Sequence, residues 1–177
     1  MEEEKPRSYA GIPEAVFVEN VDEFMTGKEG VESVLRQWDE LHCKYKYMEV
    51  NLLAKRKRLK SQIPDIQKSL EMLAVLKKKF AEESPIETHF LLSDLLHAKA
   101  VVDPSQTVCL WLGANVMLEY TLDDAQSLLD LNLDTANKNL GQVQHDLDFL
   151  RDQMTTTEVN MARLYNWDVK RRQMDKK

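Results

Sequence analysis

Glycine and proline are scarce: the 177-residue chain holds five of each, where average usage is about 7% and about 5%. A turn-rich all-β fold or a dinucleotide-binding α/β fold needs more of that punctuation, so both are disfavoured. Aromatic residues are also few, at 7%. The two cysteines, Cys43 and Cys109, lie far apart without CxxC spacing. Neither a disulfide framework nor a zinc knuckle is therefore signalled, and reduced thiols are expected. No stretch approaches the roughly 18 apolar residues of a membrane span. The start, MEEEKPRSYAG, is acidic and lacks the apolar run of a signal peptide. A cytoplasmic location is expected, with nuclear access also allowed. What is abundant points one way: 43% hydrophobic residues are too many for a disordered chain, and 31% charged residues with few breakers describe amphipathic helices.

The net charge of −6, from 24 basic and 30 acidic residues, disfavours nonspecific binding to nucleic acid or an anionic membrane. Neither is an expected partner. The run KRKRLK at Lys55 to Lys60 lacks interleaved aromatics and reads as a solvated, ion-paired helix face. Lys170, Arg171 and Arg172 suit a helix C-terminus. His42, His89, His97 and His145 show no mutual metal spacing. No nucleophile–base pair, phosphate loop or paired carboxylate is spaced for catalysis, so neither an enzyme nor a metal or other cofactor is expected.

The breakers divide the chain. Residues 1–30 carry Gly11, Gly27, Gly30, Pro6 and Pro13 and read as an N-terminal tail. Within it Val16, Phe17, Val21, Phe24 and Met25 have near-helical spacing, compatible with a short docked helix or with disorder. Residues 31–83 contain only Pro64 as a breaker, residues 122–172 only Gly141, and 173–177 form a C-terminal tail. In the second run, alternating steps of four and three from Leu122 to Leu164 meet thirteen positions, eleven of them apolar. Sustained over six heptads, that pattern predicts a coiled coil. Thr155 and Glu158 resemble a capping box, but the heptads run through them and place them inside the helix. The first run follows the same rule through Leu41, Tyr45, Met48, Leu52, Lys55 and Leu59. It resumes through Ile63, Ile66, Leu70, Leu73, Lys77 and Phe80 after an extra step of four. Such a stutter beside Pro64 predicts a bend near Leu59 to Pro64.

Between the helices, in residues 84–121, the period changes to two. Leu96, Ala98, Ala100 and Val102 alternate, Asp103-Pro104-Ser105 turns the chain, and Val108, Leu110 and Leu112 alternate around Cys109 and Trp111. Gly113-Ala114-Asn115 interrupts before Val116, Leu118 and Tyr120. With Thr88 to Leu92 this predicts about four short strands in two hairpins, after which Asp123 or Asp124 starts the second helix. The fold class is therefore mainly α with a small β part: a long antiparallel coiled-coil hairpin, about 75 Å long at 1.5 Å per residue, whose helices are joined by two β-hairpins.

Charge supports the pairing, because Val31 to Glu82 carries net +5 and Leu122 to Met154 net −5. Setting Glu82 opposite Leu122 makes facing residue numbers sum to about 204, which brings Lys55 to Lys60 near Asp146, Asp148 and Asp152. It also gathers both chain ends at the tip remote from the strands. Two hairpins offer open edges and an apolar face that no helix of the chain is free to cover, so a partner must complete the sheet. The expected assembly residues are Leu96, Ala98, Ala100, Val108, Leu110, Trp111, Leu112, Val116 and Leu118.

Two long helices joined by two hairpins resemble an alpha-type prefoldin subunit. The strings GIPEAVFVENVDEFM (Gly11 to Met25), VCLWLGANVMLEY (Val108 to Tyr120) and DFLRDQMTTTEVNMARLYNWDVKRR (Asp148 to Arg172) sharpen the resemblance. They look like the branch of that family also named for binding the von Hippel–Lindau tumour suppressor. The resemblance implies a heterohexamer of two alpha-type and four beta-type subunits, with a double β-barrel body and helical arms. Such an assembly captures non-native actin and tubulin at the arm tips and passes them to the cytosolic chaperonin without ATP. The client-binding residues at the tip would be Trp38, Leu41, Tyr45, Met48, Met161, Leu164, Tyr165 and Trp167. For Leu41, Tyr45, Met48, Met161 and Leu164 mutual packing along the seam is the competing reading, whereas Trp38, Tyr165 and Trp167 lie off it or near its end. A structural coiled-coil tether without client-holding activity is the alternative function.

Overall fold

The computed structural model describes residues 8–26 and 30–174. In chain order these form a short helix α1 (Val21–Met25), a long helix α2 (Val31–Ala81), strands β1 (Ile86–Ser93), β2 (Leu96–Val102), β3 (Thr107–Gly113) and β4 (Val116–Thr121), and a long helix α3 (Leu122–Met174). The fold is mainly helical with two small antiparallel hairpins, as the change of period from near 3.5 to two anticipates. Residues 1–7 and 27–29 of the expected N-terminal tail and 175–177 of the expected C-terminal tail lie outside the described residues.

Helix ends follow local chemistry. α2 passes through Pro64 as continuous helix and closes on Glu83, whose φ is +48°. There Glu83 N–H donates to the Phe80 carbonyl (3.1 Å) and Ser84 N–H to that of Lys79 (3.1 Å). These two bonds satisfy carbonyls that the last turn would otherwise leave open, and Pro85 prevents continuation. Beside them the Lys79 ammonium, by hydrogen bond and by charge, holds the Glu82 carboxyl below its ordinary range. The start of α3 is capped by Thr121 rather than Asp123 or Asp124. Thr121 Oγ1 accepts from Asp124 N–H at 3.2 Å and donates to the Asp124 carboxylate at 2.7 Å, so the hydroxyl takes the N-cap role and the aspartate the third helical position. Thr155 lies within α3 and donates its hydroxyl to the Arg151 carbonyl, one turn back.

The hairpins are separate two-stranded sheets, β1–β2 and β3–β4. In the second, Gly113 pairs with Val116, and the two residues between them, Ala114 and Asn115, have φ of +47° and +62°. That is the left-handed pair a tight hairpin requires, favourable for asparagine and tolerated by alanine. In the first, Ser93 pairs with Leu96 after a bulge at Leu92.

The chain divides into two compact units, each crossed by both long helices. One, the terminal unit, holds residues up to 58 together with 139 onward; the other, the strand unit, is Leu59–Lys138. In the strand unit Leu73, Leu122 and Ala125 are buried, and Val108, Leu110 and Tyr120 of the second hairpin pack on them with Leu76, Phe80 and Leu129. The expectation that no helix covers the strands therefore needs correction: part of one face of β3–β4 is seated on the helices, because their seam leaves Leu73 and Ala125 open to it.

The terminal unit has two cores. Tyr45 and Leu150 join Ile12 in one, and Leu164 joins Val31 and Val34 in the other. Facing polar residues set the register. His42 meets Glu158 (2.8 Å), Arg56 meets Gln144 (3.3 Å), and in the strand unit Lys77 meets Asp123 (2.6 Å), so each pair sums to 200. The expected sum of about 204 fails because it set the helix ends opposite each other, which an intervening block of four strands does not require. Among the described residues no ion pair joins Lys55, Lys57 or Arg58 to Asp146, Asp148 or Asp152. Lys55 is solvent-exposed despite its heptad position.

The N-terminal segment decides the rest. Its Val21, Phe24 and Met25 do lie in a short docked helix, packed on the core of Val31, Val34 and Leu164, whereas the residues before it lie along the long helices as a strap. Tyr9 contacts Asp146 and Asp22 contacts Trp167, so thirteen residues cover what takes α3 twenty-one, about 31 Å, or roughly 2.4 Å per residue. The strap is largely extended and ends in α1, where Asn20 is the N-cap, accepting from Asp22 N–H at 3.0 Å.

Candidate functional site

Two surfaces qualify. The first is the strand surface, where Leu96, Trp111, Leu112, Val116 and Leu118 are exposed and Ala98 and Ala100 half-buried. Trp111 keeps 60% of its accessible surface and Leu95, in the β1–β2 turn, 97%. Phe90, Leu91, Leu92, Val101 and Met117 of the two hairpins are also exposed and had no place in the expected assembly set. A soluble surface rarely leaves so much apolar area open unless something covers it. Val108 and Leu110 are half-buried against the chain's own helices, so these two contribute less to that surface than the sequence pattern implies.

The second surface belongs to the terminal unit. Tyr45 and Leu164 have no accessible surface and are packed within the two cores of this unit. Burial raises the Tyr45 phenol above its ordinary pKa, and its hydroxyl donates to the Pro13 carbonyl at 2.8 Å. Leu41 and Met48 pack half-buried against the Tyr45–Leu150 cluster. Trp38 stacks on Phe24 with ring centroids 5.4 Å apart. Trp167 donates its indole N–H to Asp22 at 2.7 Å, with the Arg171 guanidinium over its ring. Met161 is half-buried, and Tyr165, 61% exposed, is the most open of the eight. Met161 and Tyr165 border a shallow depression with Leu35, Arg36 and Asp39.

The strap brings residues that sequence reasoning missed. Asp146, Gln153 and Asn160 are buried polar side chains spaced seven apart, so they form one stripe along α3. Their oxygens accept from the backbone N–H groups of Tyr9 (2.7 Å), Ala15 (2.8 Å) and Val18 (3.0 Å), respectively. Asn160 Nδ2 donates to the Val16 carbonyl (2.8 Å) and the Arg163 guanidinium to that of Glu19 (2.6 Å). The heptad spacing of three polar residues beside an apolar seam is the signal that could have revealed them. Among the described residues no group of three or more His, Cys, Asp or Glu is arranged to hold a metal ion, and no helix is long and apolar enough to cross a membrane.

Paired long helices joined through two hairpins define the prefoldin fold. The family described as "Prefoldin subunit" matches residues 45–167. The chain belongs to that family. Prefoldin subunit 3 of Mus musculus is 60% identical over 171 residues, covering 96% of this chain and 87% of the relative. Prefoldin subunit 3 of Drosophila melanogaster is 57% identical over 172 residues, with the same two shares of 96% and 87%. That of Saccharomyces cerevisiae is 42% identical over 172 residues, covering 92% of this chain and 86% of its own length.

Proposed function

We propose that the chain is an alpha-type subunit of a prefoldin cochaperone. In this reading it assembles with other prefoldin subunits, two alpha-type and four beta-type, through its hairpins. The assembly holds non-native proteins, actin and tubulin among them, and delivers them to the cytosolic chaperonin without ATP or any other cofactor. The work is cytoplasmic, with nuclear access also allowed, and the von Hippel–Lindau tumour suppressor is a further proposed partner. No bond is made or broken, so the chain is not an enzyme.

The observation that carries this reading is the strand surface. Two isolated hairpins with open edges and exposed Phe90, Leu96, Trp111 and Leu118 are marginal in water and prone to pair with other strands. A tether has no need of them. The burial of Tyr45 and Leu164 favours the tether, since it removes two apolar groups from client contact. Leu118→Asp separates assembly from folding, because Leu118 is open whereas Leu110 packs on the helices. Coexpressed with partner subunits and examined by native mass spectrometry, the variant is expected to drop out of the complex; an intact hexamer refutes the placement. Deleting 1–48 and 155–177 is expected to leave a complex that assembles but no longer suppresses aggregation of denatured actin. Suppression that persists refutes client holding by the terminal unit.

A further inference from the structure

The strap is held by side chains, among them Ile12, Ala15, Val21 and Phe24 in the two cores, and by its main chain, which is the part that the polar stripe meets. The N–H groups of Tyr9, Ala15 and Val18 and the carbonyls of Pro13, Val16 and Glu19 are met by Asp146, Gln153, Asn160, Tyr45 and Arg163. Only Ile12 and Val18 of the strap are fully buried, while Val16 stays 78% exposed. A depression of about 860 Å³ lies between the strap itself, from Glu14 to Phe24, and Trp38, Leu41, Thr157 and Asn160 of the long helices. The three polar residues of the stripe thus read main-chain groups, which every polypeptide has, while apolar contacts such as those of Ile12 and Ala15 add side-chain selectivity. Backbone hydrogen bonds of this kind supply affinity for extended segments, and side-chain sockets the selectivity.

We propose that this stripe is a binding groove for an extended segment of non-native polypeptide, and that the strap is its internal, displaceable occupant. The proposal rests on the cochaperone reading. A non-native chain carries unpaired N–H and C=O groups whose satisfaction is worth most where water is excluded. Gln153 and Asn160 present amides that both donate and accept, so they suit either group. Release of the strap also uncovers the sockets of Ile12 and Val18. Because the strap remains covalently joined ahead of α2, it returns when the client leaves. An occupant present most of the time lowers apparent client affinity by the fraction of grooves left open.

The test compares the assembled complex containing the full chain with one whose chain lacks residues 1–26. The probe is fluorescent, reduced and carboxymethylated α-lactalbumin, which stays unfolded. Truncation is expected to tighten probe binding, about tenfold if the strap covers the groove nine-tenths of the time. A synthetic peptide of residues 8–26 should bind the truncated complex and compete with the probe. Gln153→Ala with Asn160→Ala, made in the truncated chain, should remove both gains while circular dichroism stays unchanged. Unchanged or weaker probe binding after truncation overturns the proposal. So does a peptide that fails to bind, or one whose binding ignores the double substitution. A full-chain complex that does not hold the probe counts against the cochaperone reading itself, while the peptide titration still decides the groove.

Discussion

Asn160→Ala tests how the strap is held. Asn160 serves two main-chain groups, accepting from Val18 N–H and donating to the Val16 carbonyl, and Val18 is only 8% exposed. Truncation leaves that N–H buried without a partner, which costs about 1–3 kcal/mol. Asn160 itself is 3% exposed, but the space left after its removal opens toward the strap, so the helices need not separate. The strap has a cheaper outlet than global unfolding, namely local detachment into water, where its N–H groups find solvent. The substitution should therefore reduce hydrogen-exchange protection around Ala15 and Val18 by roughly 5- to 150-fold, the equivalent of 1–3 kcal/mol. Amides of α2 and α3 near Tyr45 and Leu150 should hold their protection. Exchange mass spectrometry on the full chain in its complex, with peptides covering residues 8–26, reads both. Unchanged protection at Val18 refutes the claim that the amide ladder holds the strap; equal loss across α3 refutes the claim that the strap opens independently.

Leu150→Ala empties a site with no accessible surface between Ile12 and Tyr45. It should destabilise the terminal unit by about 2–5 kcal/mol, measured by thermal or urea unfolding. Gly141→Ala should stabilise, by about 0.5–1 kcal/mol, because nothing lies within 4 Å of the added Cβ in mid-helix; a lower melting temperature would show that the glycine is needed for another reason. The raised Tyr45 pKa has a definite sign: its contribution is whole below the ordinary tyrosine value, near pH 10, and is lost as pH rises through the higher folded value. Urea midpoints should thus fall above pH 10, and Tyr45→Phe should flatten that part of the decline.

The two helices, the strand block between them and the need for a covering partner were legible in the residues themselves. Periodicity and breaker placement are local: the run from Leu122 to Leu164 declares a helix whatever it packs on, and Leu96 to Tyr120 declares strands by alternation alone. The register and the use of each seam residue were not local. The period places Tyr45 on the seam and Tyr165 off it, but it does not show that the Tyr45 hydroxyl is covered by the Pro13 carbonyl while Tyr165 faces solvent. That cover comes from the strap, whose main-chain contacts leave as their one trace in residue type the seven-residue spacing of Asp146, Gln153 and Asn160.

By itself, then, the sequence determined which segments after the N-terminal tail are helix and strand, because those follow from the spacing of apolar side chains and the positions of Pro85, Gly113 and Asn115. Only the tertiary structure decided that facing residues sum to 200, that Val108 and Leu110 lean on the chain's own helices, and that Asp146, Gln153 and Asn160 clasp a strap. Those outcomes depend on which surfaces meet and which main-chain groups then need partners, quantities that no single segment carries.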